Sequence, residues 1–137
     1  LDDQLSHHGL MTPGRQRAKP DHLQFGVRMA REIAALDIGQ GVVVRKGTVL
    51  AVEAFEGTDD MLARANKYKT DQLIFVKCAK PDQNPCFDWP VFGDRILDSM
   101  LASGITSAAL ETDRVVMLHK EHLLARAAGA GIELMGF

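Results

Sequence analysis

The residues with the clearest chemical potential lie in the stretch VEAFEGTDDML, where four carboxylates surround a glycine and a threonine. Glu53 has apolar neighbours in a predicted strand, and a carboxylate drawn toward the interior is costly unless it is paired or bound to a metal. Gly57, Thr58 and Asp59 follow at the start of a predicted helix. A helix N-terminus preceded by glycine suits a phosphate, and Mg²⁺ takes carboxylate oxygens. The spacing is therefore compatible with a divalent cation held against a phosphate.

The same stretch also has a purely structural interpretation. Thr58 or Asp59 can cap the helix, and the helix dipole favours carboxylates in its first turn by about 0.3–1 kcal/mol each. Asp60 can pair with Arg64, four residues later in the chain. This interpretation leaves Glu53 unexplained, so spacing alone keeps both alternatives open.

Two further segments carry polar residues where ligands are often bound. Gln40 lies between Gly39 and Gly41, whose backbones can approach a ligand, although such glycines also simply separate a helix from a strand. Lys77 and Lys80 flank the end of an apolar strand and the start of a loop, where ligand sites of α/β proteins tend to lie. Lysines at strand ends are usually only solvated, so each of these signals is weak by itself.

The loop over residues 77–90 ends with an acid in an aromatic setting. Asp88 lies between Phe87 and Trp89, the one tryptophan of the sequence. Such a carboxylate is a candidate for a functional acid, although an Asp before a turn also commonly caps a backbone N–H. Both interpretations of Asp88 stay open at this point.

Length and composition restrict the class of protein. The 137 residues fit one domain, and a formal net charge of −2 argues against a nucleic-acid partner held by bulk charge. Cys78 and Cys86 match neither zinc nor disulfide spacing, and His119 and His122 show no accompanying ligand pattern and are predicted to lie on the surface. The sequence has no apolar run approaching the ~20 residues of a membrane span and no signal-peptide order. These features predict a cytoplasmic protein.

Helix and strand patterns alternate along the chain. The predicted elements are a helix at residues 21–36 with Asp21 as its N-cap, a β-hairpin at 42–44 and 48–55, a short helix after Thr58, a strand at 73–76, a helix at 94–103, a second hairpin at 105–111 and 115–118, a helix at 120–128 and a strand at 132–137. This order predicts an α/β fold, α+β-like, in which helices cover a mixed sheet with β-hairpins. It also suggests an internal repeat of helix, hairpin, helix and strand. The polar first twenty residues predict a linker or the tail of a missing N-terminal domain.

The segments DIGQGVVV, VLAVEAFEGTDDMLARA and VKCAKPDQNPCFDWP, with the closing helix and strand, together resemble a known family over residues 21–137. They are similar to the C-terminal catalytic domain of the UDP-2,3-diacylglucosamine pyrophosphatases of the alphaproteobacterial type. The resemblance implies hydrolysis of a lipid-linked UDP-sugar to UMP and 2,3-diacylglucosamine 1-phosphate (lipid X) in lipid A biosynthesis. It further implies Mg²⁺ or another divalent cation such as Mn²⁺, an N-terminal partner domain and peripheral contact with the inner membrane, and it leaves a homo-oligomer open.

The resemblance also implies roles for single residues. Asp88 is the expected essential acid, which either ligates Mg²⁺ or orients the attacking water. The other implied positions are Asp59 and Glu53 as metal ligands or supporting carboxylates, and Lys77, Lys80, Gln40, Gly57, Thr58 and Gln83 as substrate-binding residues. Phosphoryl chemistry suits this division, because its catalysis is mostly positioning and charge neutralisation by a metal and by Lys or Arg.

Two residues depart from the usual loop of that family. Asn84 stands where the family usually has Asp, and Cys86 stands where it usually has Arg. These changes remove a metal-ligand candidate and a bidentate phosphate contact. Two alternatives to the enzyme therefore remain: a non-catalytic nucleotide-sugar or phospholipid-binding domain of the same fold, and a structural or oligomerisation domain.

Overall fold

The computed structural model of the protein describes residues 2–54, 56–81 and 89–137. Within these residues the α-helices are α1 (Pro20–Ala35), α2 (Thr58–Ala65), α3 (Asp94–Ala102) and α4 (Lys120–Gly129). The strands are β1 (Gly9–Leu10), β2 (Gly41–Arg45), β3 (Thr48–Val52), β4 (Leu73–Lys77), β5 (Val91–Phe92), β6 (Ser107–Leu110), β7 (Val116–Met117) and β8 (Glu133–Gly136). Short 3₁₀ turns lie at Asp2–Gln4 and Asn66–Tyr68.

Six of the described strands form one mixed sheet in the order β1-β8-β6-β4-β2-β3. β4, β6 and β8 run parallel, whereas antiparallel pairs add β1 at one edge and the β2–β3 hairpin at the other. β5 and β7 form a separate parallel pair. The predicted mixed sheet and the predicted first hairpin, which turns at Lys46 and Gly47, are confirmed.

Helices cover both faces of the main sheet. β4 is an apolar run that is buried along its whole length, as expected for a central strand with helices on both sides. Phe75 packs in a core cluster with Met61 of α2 and Leu97 of α3, and α4 contributes to the same cluster. The next residue, Val76, packs in a second cluster with Ala30 of α1. The sheet therefore lies between α1 on one face and the other three helices on the opposite face.

The predicted second hairpin is wrong. β6 lies between β4 and β8 and is parallel to both, while β7 pairs with β5. All four residues of β6 are buried, and burial on both faces favours a place inside the sheet over a place in a hairpin. The suggested internal repeat required that hairpin and fails with it.

Two predicted element ends are also wrong. α1 begins at Pro20 with Lys19 as its N-cap, so Asp21 lies inside the first turn and is not the cap. Proline suits this first position because its fixed φ matches the helix and its missing N–H would have no intrahelical partner. β3 ends at Val52, so Glu53 follows the strand and does not lie within it.

Residues 5–18 pack against the sheet, although the composition of the first twenty residues predicted a linker. β1 pairs with β8, and the side chain of Leu5 is buried. The backbone N–H groups of Arg17 and Ala18 donate to the carboxylate of Glu133 at 2.7 and 2.8 Å. Residues 5–18 therefore belong to the folded unit.

Candidate active site

A cleft of about 460 Å³ opens where β4 ends. Ligands of α/β proteins commonly bind at the carboxyl ends of parallel strands. The first turns of α2 and α3 and the residues just before α4 also reach this cleft. Its polar lining comprises Thr58, Asp59, Lys77, Asp94, Arg95 and His119, and its apolar lining includes Val91, Ile96 and Leu118.

Two helix N-termini face the cleft. Gly57 precedes α2 with a φ of +89°, a conformation that glycine adopts readily, and Gly93 precedes α3. Both N-cap residues are glycines, which have no side chain that could cap the helix. The first N–H groups of a helix have no intrahelical partner and carry partial positive charge. The cleft therefore offers backbone donors to an anionic group.

Lys77 is the buried cation of the cleft. The residue is 5% exposed, and its Nζ donates to Thr58 Oγ1 at 2.8 Å and lies 3.9 Å from Glu53 Oε2. Burial lowers the pKa of Lys77 below its usual value, whereas the carboxylates of Glu53 and Asp59 act in the opposite direction. An ammonium at this position can offset the charge of a phosphate oxygen.

Glu53 connects residues that the sequence predicted in separate segments. It is 7% exposed, and its carboxylate accepts from the backbone N–H of Gln40 at 3.2 Å and from the Thr58 hydroxyl. Gly39 permits this approach, because a Cβ there would lie 1.8 Å from the Glu53 carbonyl oxygen. The structure thus brings together Gln40, Glu53, Thr58 and Lys77.

The predicted cap and ion pair of α2 are wrong. The N-cap is Gly57, and the hydroxyl of Thr58 bonds to a carboxylate of the preceding segment and not to a free helix N–H. Arg64 pairs with Glu56 and donates to a backbone carbonyl of β3, so the predicted pair with Asp60 does not form. Asp60 is exposed.

Asp59 connects α2 to α3 at the cleft. Its Oδ1 accepts from the Ser99 hydroxyl at 2.8 Å, and its Oδ2 lies 3.2 Å from the guanidinium of Arg95. The side chain is 38% exposed, so its carboxylate is accessible from the cleft. Asp59 therefore does not act as the predicted cap but remains a candidate for a cation ligand.

Three predicted substrate-binding residues lie outside the cleft lining, namely Gly57, Lys80 and Gln40. Lys80 Nζ pairs with Asp37 at 2.8 Å, just after α1. The backbone carbonyl of Gln40 accepts from Cys78 at 2.9 Å. Among the described residues, the buried side-chain Nε2 of Gln40 has no hydrogen-bond partner. Their predicted contacts with substrate stay predictions.

The predicted metal site includes residues beyond the described ranges. Asp88, Gln83, Asn84 and Cys86 lie outside the described residues, and their predicted roles stay predictions. Within the part of the chain that is described, no three His, Cys, Asp or Glu side chains are grouped so that they could hold a metal ion. Mg²⁺ is commonly held by one or two carboxylates with substrate phosphates and water. Asp59, with a second carboxylate, fits that requirement.

Three residues of the cleft were missed from the sequence. Asp94 and Arg95 follow Gly93 at the start of α3, in the same order of glycine and acid as at α2, and this order was a usable signal. His119, which was predicted as a surface residue, is exposed but also lines the cleft as the N-cap of α4. Its local sequence gave no sign of this position, since packing of α4 decides it.

The sequence of this chain is similar to known proteins over almost its whole length. Residues 7–135 match the family described as "LpxI C-terminal domain". The chain belongs to this family. It is also 34% identical over 134 residues to the UDP-2,3-diacylglucosamine pyrophosphatase LpxI of Caulobacter vibrioides, with 90% of this chain and 48% of that relative covered. The resemblance predicted from the motifs is confirmed, and the chain spans about half the length of the relative that it matches.

Proposed function

We propose that the chain is the catalytic half of a hydrolase that cleaves the pyrophosphate bond of UDP-2,3-diacylglucosamine to UMP and lipid X in lipid A biosynthesis. The observation that supports this proposal is the cleft at the end of β4, where the buried ammonium of Lys77 meets the N-termini of α2 and α3. A pyrophosphate needs such donors, because charge on its oxygens must be neutralised as a P–O bond breaks. The substrate identity follows the name of the Caulobacter relative.

The charges of the cleft favour a divalent cation as part of the proposal. Lys77 and Arg95 contribute two positive charges, and Asp59 and Asp94 contribute two negative ones. A pyrophosphate would therefore enter a site with little net charge, apart from the partial charges of the helix N-termini. Mg²⁺ or Mn²⁺ would supply the missing positive charge, as phosphoryl-transfer enzymes commonly require.

The residues have distinct roles in the proposed reaction. Asp59 and Asp88 would hold the cation, and Asp88 is also the candidate for orienting the attacking water. Lys77 and the first N–H groups of α2 and α3 would bind the phosphate oxygens and stabilise their charge while water adds to phosphorus and the anhydride oxygen leaves. The exposed guanidinium of Arg95 lies at the cleft, where it can contact a second phosphate.

The rest of the proposed site would come from another part of the protein. We propose residues 21–137 as the catalytic-type domain and an N-terminal domain that holds the product against it. Among the described residues, the helices lack the combination of length and apolar character that a bilayer crossing requires. For the acylated substrate we propose a cytoplasmic enzyme that contacts the inner membrane peripherally.

The proposal is tested by UMP release from UDP-2,3-diacylglucosamine by the intact protein. We expect release with Mg²⁺ or Mn²⁺ and none with EDTA. Asp59→Asn should lower kcat/KM by about 10–100-fold, as loss of a metal or supporting carboxylate commonly does. The matched control is Asp60→Asn, because Asp60 is the exposed neighbour of Asp59.

Two outcomes would contradict the proposal. Full activity in EDTA would show that the reaction needs no divalent cation. Equal effects of Asp59→Asn and Asp60→Asn would show that Asp59 has no specific role in the site. The departures at Asn84 and Cys86 give the second candidate function its basis. Tight substrate binding without UMP release would favour that candidate, a non-catalytic nucleotide-sugar or phospholipid-binding domain.

A further inference from the structure

The carboxylate of Glu53 contacts three different segments behind Thr58 and Lys77, which line the cleft. One oxygen accepts from the Gln40 N–H just before β2, at 3.2 Å. The other accepts from the Thr58 hydroxyl at the start of α2, and it lies 3.9 Å from Lys77 Nζ at the end of β4. Both carboxylate oxygens of Glu53 are therefore engaged, and the residue is 7% exposed.

These contacts fix the direction of the Thr58 hydroxyl. A hydroxyl has one proton to donate, and here the proton goes to Glu53. The Thr58 oxygen must then accept from Lys77, which is 2.8 Å away and has only donors. One N–H of Lys77 is used in this way, and its other two N–H groups make no hydrogen bond within the described residues, so they are available to a ligand in the cleft.

We propose that Glu53 is a positioning residue, which holds the Lys77 ammonium against the cleft through the Thr58 hydroxyl, and is not a metal ligand. This inference rests on the proposed function, since a phosphate oxygen is the group that Lys77 is held to meet. A cation bound to Glu53 would have to displace Thr58 or lie beside the Lys77 ammonium. Glu53 thereby gains the structural explanation that its sequence context lacked.

The variant Glu53→Gln tests the role with little change in shape. The Gln40 N–H and the Thr58 hydroxyl donate to different carboxylate oxygens, and glutamine has an oxygen at only one of these two positions, so one donor loses its acceptor. In either orientation of the amide, the ammonium of Lys77 loses the negative charge beside it. Loss of such a supporting contact commonly costs about 10–100-fold in binding or activity.

Two binding measurements on the intact protein separate positioning from metal binding. Titration calorimetry with inorganic pyrophosphate should show about 10-fold weaker binding by Glu53→Gln. Electron paramagnetic resonance of free Mn²⁺ should show unchanged metal affinity in the same variant. The matched control is Glu56→Gln, because Glu56 lies three residues away and pairs with Arg64 outside the cleft.

A double-mutant cycle tests whether Glu53 acts through Lys77. In a Lys77→Met background, Glu53→Gln should cause no further loss of pyrophosphate binding, since the group that it positions is absent. Urea unfolding of each variant identifies any loss that comes from misfolding. Thr58→Ser keeps the hydroxyl and should retain binding, whereas Thr58→Val should lose as much as Glu53→Gln.

Several results would overturn the inference. Weaker Mn²⁺ binding by Glu53→Gln would indicate that Glu53 is a metal ligand. Additive losses of pyrophosphate binding in Glu53→Gln and Lys77→Met would indicate that Glu53 acts independently of Lys77. If the wild type binds pyrophosphate with the expected variant pattern but releases no UMP, the proposed hydrolysis fails and the positioning role stands. A wild type that binds no pyrophosphate contradicts both.

Discussion

Two buried carboxylates lie at opposite ends of the main sheet and accept hydrogen bonds from the same kinds of donor, backbone N–H groups and a hydroxyl. Glu133, at the start of β8, accepts from the backbone N–H groups of Arg17 and Ala18 and from the Ser107 hydroxyl, and it is 2% exposed. Glu53 also accepts from a backbone N–H and a hydroxyl, but it adjoins the ammonium of Lys77 at a cleft. A buried carboxylate alone therefore does not mark a site. What distinguishes the two ends is the ion pair: the Lys77 ammonium lies 3.9 Å from Glu53 and lines the cleft, whereas the Arg17 guanidinium near Glu133 donates to the backbone carbonyls of Thr106 and Gly131.

The largest effect is expected for Lys77→Met. Removing one preorganised charge donor from a phosphate site commonly costs about 10²–10³-fold in rate, or about 2.7–4 kcal/mol in transition-state stabilisation. The measurement is kcat/KM for UMP release by the intact protein, corrected for the folded fraction from urea unfolding. An unchanged kcat/KM of Lys77→Met would contradict a functional difference between the Glu53 end and the Glu133 end of the sheet.

Glu133→Ala should lower the stability of the protein and leave its kcat/KM nearly unchanged. It leaves two backbone N–H groups and the Ser107 hydroxyl without their acceptor, and buried groups left unsatisfied cost about 1–3 kcal/mol each. We expect the free energy of unfolding to fall by about 3 kcal/mol or more. Below the unfolding transition, kcat/KM should stay within about twofold, because this carboxylate lies at the end of the sheet opposite to the cleft. A selective loss of kcat/KM would place function at the Glu133 end.

Gly39→Ala should damage both stability and the Glu53 contacts. The added Cβ would lie 1.8 Å from the Glu53 carbonyl oxygen, so the backbone must move. Overpacking of this kind costs about 1–3 kcal/mol in the free energy of unfolding. Gly47→Ala is the matched control, since a Cβ at Gly47 in the β2–β3 turn meets no atom within 4 Å. Equal urea midpoints for the two variants would show that Gly39 does not fix the approach to Glu53.

The smallest effect concerns Cys78, which follows Lys77 but packs against α1 on the other face of the sheet. Burial raises the pKa of its thiol to about 12 from 9.0. The folded state therefore keeps a proton that the unfolded state loses, and stability falls as the pH rises from 9.0 toward about 12. In a Cys86→Ser background we expect about 1 kcal/mol less stability at pH 10 than at pH 8 from this group. Cys78→Ala should show a smaller drop in urea unfolding, and an identical drop would contradict the assignment.

Local sequence patterns predicted most helices and strands. They did not predict which strands pair when that choice depends on packing. The turn at Lys46 and Gly47 joins neighbouring strands, so the first hairpin could be predicted from the sequence. The partners of β6 depend on its burial between two parallel strands, and the short apolar run itself carries no information on that choice. The same limit explains the first twenty residues, whose polar composition concealed their contacts with β8.

The candidate site was predictable to a similar extent. Glu53 was already unusual in the sequence, because a carboxylate among apolar residues needs a partner. Its partners Gln40 and Lys77 come from distant segments, so only the fold shows that they meet. Arg95 was missed because its place at the cleft depends on the packing of α3 against α2.

The central claim, that phosphates bind at the carboxyl end of β4, is tested most directly by amide hydrogen exchange of the intact protein with and without UMP and Mg²⁺. The first-turn N–H groups of α2 and α3 have no intrahelical partner, so their exchange is sensitive to a bound anion. We predict slower exchange at residues 58–60 and 94–96 on binding, with no change at Arg17 and Ala18 beside Glu133. Protection at Arg17 and Ala18, with none at the starts of α2 and α3, would contradict the account.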